Sequence, residues 1–246
     1  GLKNIRVLAP EENYLYKIVT YVPQSHIEQV RQAMWSAGAG TIGNYDCCSY
    51  SSEGNGTFRA QVGCNPFVGE IDKLHTEPEL RLEMVVPKDK SGRVVAAIHA
   101  AHPYEEPAID ILPLANNYEQ LGLGCVGELE LPITETEMLH YIKEKLNIQY
   151  IRHTQTSDRL VERVALCGGS GAEFIPHAIR EKAGMYITAD VKYHDFFNAE
   201  NQIVIADIGH FESEQCIKEV FYEQISKNFI NFAILMAECD KSPVKY

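Results

Sequence analysis

The chain has 246 residues, 45% of them hydrophobic and 23% charged, with 17 Gly and 11 Pro, which fits one large or two modest globular domains and excludes disordered and fibrous classes. Asp and Glu number 34 against 22 Lys and Arg, a net charge of −12 with no basic run, so nucleic acid is not an expected partner. The longest apolar stretch, around Phe232–Ala237, is far short of the roughly 18 residues that cross a bilayer. Ala9-Pro10-Glu11-Glu12 interrupts any secretory signal. The seven cysteines (Cys47, Cys48, Cys64, Cys125, Cys167, Cys216 and Cys239) lack paired spacing. A reducing cytoplasm is the expected setting.

Tyr14–Val22 alternates as a strand does, and Ser25–Ala37 carries Ile27, Val30, Ala33, Met34 and Ala37 at helical spacing before Gly38 and Gly40. Thr41–Tyr50 and Thr57–Cys64 are expected as strands joined by a turn at Ser51–Gly56, and Leu80–Val86 as another strand. Arg93–His102 follows as an Ala-rich helix, and Ala108–Leu114 as a strand after the break at Pro103–Pro107. The order is approximately β-α-β-β-α-β, that of a ferredoxin-like sandwich.

Asn116–Gly127, rich in Asn and Gly, is a candidate linker. Beyond it the pattern predicts helices at Thr134–Leu146, Ala172–Ala183 and Ser213–Ser226. Strands are predicted at Arg163–Cys167, Met185–Thr188, Gln202–Asp207 and Asn231–Ala237. This alternation argues for a mostly parallel sheet with helices on its faces, an α/β (α+β) chain in all.

Chemistry-bearing residues gather where predicted strands end. In Asp207-Ile208-Gly209-His210-Phe211-Glu212-Ser213-Glu214, His210 and Glu214 lie four apart, so a helix starting near His210 would aim both at one ion. Ser213 and its acidic neighbours equally suit a capped helix N-terminus. Asp190-Val191-Lys192-Tyr193-His194-Asp195 repeats the carboxylate and imidazole at the same spacing, with Lys192 available to an anionic group; Asp190 as a helix cap explains it as well. Cys167-Gly168-Gly169-Ser170-Gly171 offers backbone N–H groups for an anion or a tight, closely packed turn, and Cys167 is either a nucleophile or inert core. His102-Pro103-Tyr104-Glu105-Glu106-Pro107 is a cation site or a rigid turn. Cys47 and Cys48 on a strand would point to opposite faces, against a shared metal.

Taken together, Gly168–Gly171, Tyr186–His194 and Gly209–Glu214 resemble the Nif-three-like family, the homologues of GTP cyclohydrolase I type 2. Ala37–Tyr45 and His102–Pro107 resemble the PII or CutA-like ferredoxin-type domain inserted in some members. The resemblance implies a linker at 1–13, the insert at 14–115, and the C-terminal half of the family's metal-binding α/β domain at 116–246. The family's adjacent His pair and further Asp would precede residue 1, so a fragment lacking the N-terminal half is expected, with an incomplete site. Departures from the family pattern are Ala189, where Gly is expected, and Cys125, where Arg is usual.

The implied cofactor is a pair of divalent ions (zinc, manganese or iron), with His210 and Glu214 as ligands and Asp190, Lys192 and His194 as supporting or substrate contacts. The implied activity is cyclohydrolase-like, metal-dependent hydrolysis in a trimeric or hexameric homo-oligomer. The alternative is a non-enzymatic regulatory or assembly protein that senses a small ligand or metal through its PII-like domain. The catalytic residues and the substrate are not legible.

Overall fold

The computed structural model describes residues 1–237 and 242–244; Cys239 lies outside them. The chain divides into two compact units, Glu11–Tyr118 and the combination of Gly1–Pro10 with Glu119–Tyr246. The opening segment is a strand, β1 (Lys3–Glu11), at the edge of the second unit's sheet. It corrects the expectation of a linker at 1–13, because the backbone of this segment pairs in a ladder.

The unit Glu11–Tyr118 contains β2 (Leu15–Pro23), α1 (Ile27–Ser36), β3 (Tyr50–Arg59), β4 (Leu74–Pro87), α2 (Ser91–Ala101) and β5 (Ile109–Pro113). Its sheet runs β3-β4-β2-β5, antiparallel throughout, which is the ferredoxin-like arrangement. Alternation along β2 and β4 sends Ile18, Val22, Leu82, Met84 and Val86 to one face. There they pack on Val30 and Met34 of α1 and on Val94 and Ile98 of α2. Ser51–Gly56, expected as a turn, is the middle of β3, where Gly54 pairs with Glu79 and Gly56 with Glu77. Ladder hydrogen bonds to a long partner strand outweigh local turn composition. Residues 41–49 form no strand; Ile42 and Tyr45 close a small turn, and Cys47 has φ of +52°. The strand placement of Cys47 and Cys48 is corrected accordingly.

His102 follows α2 and is buried. Its Nε2 donates to the Tyr21 carbonyl at 2.9 Å, and its Nδ1 accepts the Tyr104 N–H at 3.0 Å, so the neutral ring satisfies both partners. Burial lowers its pKa, against opposing effects of the Tyr21 carbonyl and Glu79. The unfolded chain therefore takes up this proton at a higher pH than the folded chain. The stability involved is present above about pH 6.5 and is lost as pH falls towards the folded pKa. The midpoint of urea unfolding is expected to be lower at about pH 5.5 than at about pH 7.5, and His102→Gln to narrow that gap.

The other unit adds β6 (Tyr118–Thr134), α3 (Glu135–Leu146), β7 (Arg152–His153), β8 (Leu160–Ser170), α4 (Ile175–Arg180), β9 (Met185–Ala189), β10 (Val204–Asp207), α5 (His210–Glu214) and α6 (Ile217–Asn228). The sheet order is β1-β6-β8-β9-β10-β7. β8, β9 and β10 run parallel to one another, whereas β6 runs antiparallel to β8 and β7 antiparallel to β10. The sheet is therefore mixed rather than mostly parallel. The candidate linker Asn116–Gly127 is largely the first part of β6, held by pairs such as Cys125 with Leu166.

The central strands are buried on both faces, which is why they are nearly continuous apolar runs. Tyr186, Ala165 and Ile205 pack with Ile175 and Ala178 of α4. Met185, Val164, Val204 and Ala206 pack with Met138, Leu139 and Ile142 of α3. Thr134 and Glu137 form a reciprocal capping box that starts α3.

The strand expected at Asn231–Ala237 does not form. Its large apolar side chains Phe232, Leu235 and Met236 stand exposed, and no strand among the described residues is paired with it. α6 likewise buries no residue. Among the described residues no helix is long and apolar enough to cross a membrane.

Candidate metal centre

Two adjacent parallel strands, β9 and β10, end side by side, which is where sheets of this kind place ligands. After β10, Ile208 leads to Gly209, whose φ of +90° turns the chain into α5 so that His210 is its first residue. After β9, Asp190 has φ of +54°, and the turn aims its carboxylate at the same place. His210 Nδ1 donates to Asp190 Oδ2 at 2.6 Å, and His210 Nε2 lies 3.1 Å from Glu214 Oε2, one turn along α5. The hydrogen bond to Asp190 raises the His210 pKa; desolvation opposes it, and the charges of Glu214 and Asp190 add to the rise.

Asp207 holds this junction together. It is 5% exposed. Its Oδ1 accepts the Gly209 N–H at 3.1 Å, while its Oδ2 accepts the Val191 N–H at 3.0 Å and pairs with Arg152. One buried carboxylate thus fixes the residue after Asp190 and the residue before His210. Arg152 also lies against the Phe196 ring.

The glycine-rich run Cys167–Gly171 lies at the end of β8 and packs against α5. The Gly169 N–H donates to Ser213 Oγ at 2.9 Å, so that donor is taken. Ser213 in turn donates to the His210 carbonyl and does not cap the helix. A Cβ on Gly169 would lie 2.4 Å from Glu214 Oε1, and its φ is +66°. Close packing against the site therefore accounts for glycine here. Gly169→Ala is expected to cost about 1–2 kcal/mol for the left-handed backbone alone and to displace Glu214; thermal unfolding and metal binding on the variant check both. The Cys167 thiol is buried and its pKa is pushed up by that burial, which is contrary to what a nucleophile needs.

A cleft of about 820 Å³ opens at this junction, lined by Asp190, Asp207, His210, Glu214, Arg152 and Lys218 among others. Lys192 and His194 are not in its lining. Both are exposed; the Lys192 N–H donates to Asp195 at 3.3 Å and the His194 ring meets Tyr193 edge-on at 5.7 Å. Residues 190–194 form no helix, so Asp190 and His194 do not share a helix face as their spacing suggested. The sequence marks the runs that hold Asp207 and Gly169 but not the roles of these two residues, and it does not mark Arg152 at all. Asp207 was legible as the acid that closes an apolar strand.

The donors present suit a divalent ion. An imidazole nitrogen and a carboxylate oxygen that each bind one ion at about 2.0–2.2 Å stand roughly 3.0–3.4 Å apart, and His210 Nε2 and Glu214 Oε2 are 3.1 Å apart. Asp190 on the other ring nitrogen is the carboxylate support usual for a ligating histidine. Among the described residues no group of three or more His, Cys, Asp or Glu is placed to hold an ion, so two donors are what this region contributes.

Residues 1–243 match the family described as Duf34/NIF3 (NGG1p interacting factor 3). The chain is 41% identical over 229 residues to a GTP cyclohydrolase 1 type 2 homolog of Halalkalibacterium halodurans, covering 92% of this chain and 61% of that protein. It is 38% identical to the Bacillus subtilis protein of the same description, covering 100% of this chain and 67% of that one. The crystal structure of a Bacillus cereus protein related to NIF3 superposes with a TM-score of 0.78 at 35% identity, over 100% of this chain and 67% of that one. The chain therefore spans about three fifths to two thirds of the length of these relatives, and it belongs to the Duf34/NIF3 family of GTP cyclohydrolase 1 type 2 homologues.

Proposed function

We propose that the chain is part of a divalent-metal-dependent hydrolase of the cyclohydrolase kind, with His210 and Glu214 as metal ligands. The observation that carries this reading is the His210 imidazole poised between Asp190 and Glu214 at the mouth of a cleft. A bound divalent ion would supply Lewis-acid activation of water at neutral pH. Asp190 fixes the tautomer and direction of His210 by taking its Nδ1 proton in a hydrogen bond, which leaves Nε2 for the ion. Asp207 sets the positions of both. Further ligands, and a second ion if the centre is dinuclear, come from outside the described residues. Zinc, manganese and iron suit the mixed nitrogen and oxygen donors. Lys192 and His194, exposed beside this turn, are proposed only as contacts for a large substrate.

On the same reading the ferredoxin-like unit is the PII or CutA-type insert, and the protein is a cytoplasmic homo-oligomer. Exposed Val220, Phe221 and Ile225 on α6, with Phe229 and Leu235 beyond it, form apolar surface of the kind that association covers. The test of function is conversion of GTP, followed by ultraviolet absorbance with and without added zinc, manganese or iron(II). Metal-dependent turnover that disappears in His210→Ala and Glu214→Gln supports the reading. Turnover indifferent to both substitutions contradicts it.

A further inference from the structure

The ferredoxin-like unit covers one face of its sheet with α1 and α2. On the other face, Ser52, Gly54, Gly56 and Phe58 of β3 stand opposite Arg81, Glu79, Glu77 and His75 of β4. Glycine at two of these places leaves the surface hollow. Gly56 lets the Glu79 carboxylate lie across the strand, since a Cβ there would meet Glu79 Oε2 at 2.1 Å. The loop after β3 and the turn at His102–Pro107 rise around the hollow and enclose a cleft of about 800 Å³.

Two properties of its wall select a ligand. Phe58 and Phe67 both approach Tyr104, with ring centroids 6.1 Å and 6.2 Å away, and all three rings line the cleft. Four carboxylates (Glu53, Glu79, Glu105 and Glu106) line it against a single cation, Arg81, and Arg81 is already paired with Glu83 at 3.0 Å. Glu105 accepts the Asn65 N–H, while Glu53 and Glu106 lie exposed. The Tyr104 hydroxyl is buried and interacts with the Glu79 carboxylate. Burial first, and Glu79 after it, push the Tyr104 pKa up, so the phenol stays neutral.

We propose that this cleft binds a small organic cation, a substituted ammonium carrying an apolar group, with its charge over the Phe58 and Tyr104 rings and beside Glu79. Aromatic faces attract a weakly hydrated cation, and the carboxylates favour the same sign. An anion would meet four like charges. A bare metal ion would have to exchange water for aromatic carbon, and the described residues place no group of three or more His, Cys, Asp or Glu for one.

The test is calorimetric titration of the whole chain with benzyltrimethylammonium, and with benzyl alcohol as the neutral counterpart. The expected result is saturable binding of one cation per chain, about tenfold tighter than the alcohol. Glu79→Gln is expected to erase most of that preference. Gly54→Leu is expected to abolish binding by filling the cleft, because a Cβ at Gly54 enters open space and meets no atom within 4 Å. Absence of saturable binding at millimolar cation overturns the proposal. Equal affinity for the alcohol, or cation binding unchanged in Glu79→Gln, overturns it as well.

Discussion

Replacement of Asp207 by Ala is expected to destabilise the chain by about 3–5 kcal/mol and to disperse the cluster around His210. The carboxylate is 5% exposed and serves the Gly209 N–H, the Val191 N–H and Arg152 at once. Its removal strands two backbone donors at the ends of β9 and β10, each costing about 1–3 kcal/mol if left without a partner. Arg152 is largely exposed and recovers water, so the loss falls chiefly on the two turns. Asp190 and His210 adjoin Val191 and Gly209 directly and should separate. Thermal unfolding reads the first effect, and the NMR shift of the Asp190-bonded His210 Nδ1 proton reads the second. Asp207→Asn is expected to be milder in stability yet still to weaken the His210 cluster, because one amide oxygen replaces two acceptors.

A comparable loss, about 3–5 kcal/mol, is expected for Glu135→Ala. Glu135 opens α3 with a side chain only 1% exposed. It accepts the Ser157 N–H at 2.6 Å and pairs with Arg159 Nε at 2.9 Å. Arg159 also donates to the Asn201 carbonyl at 2.9 Å. The substitution therefore releases the loop before β8 from α3 and from the turn before β10, while the capping box at Thr134 remains. Urea unfolding checks the magnitude. Glu135→Gln, which keeps one acceptor for the Ser157 N–H, should recover part of it. A shift below about 1 kcal/mol for Glu135→Ala would show that the loop holds without this tie.

The ferredoxin-like order was legible because Ile18, Thr20 and Val22 alternate on β2 and because the apolar positions of α1 keep helical spacing. Ser51–Gly56 was misread because its Ser, Gly and Asn residues have local turn preferences, whereas its state is set by pairing with β4, distant in sequence. The same cause hid the first part of β6 behind the Asn and Gly of 116–127. Asn231–Ala237 failed in the other direction: an apolar run is a strand only where another strand pairs with it. In the site, the spacing of His210 and Glu214 was sufficient because both fall within one short helix. The approach of Asp190 to His210 depends on β9 and β10 being neighbours, which no spacing encodes. The left-handed turn at Asp190 then separated it from His194 and Lys192, to which the sequence had joined it.

The central claim is that His210 and Glu214 take up a divalent ion, and equilibrium dialysis of the chain in separate experiments against zinc, manganese and iron(II) tests it most directly. Saturable uptake is predicted for the wild-type chain, falling at least about tenfold in affinity in His210→Ala and in Glu214→Gln, with both variants folded as judged by circular dichroism. Uptake unchanged by either substitution, or no saturable uptake of any of the three metals, would contradict the account.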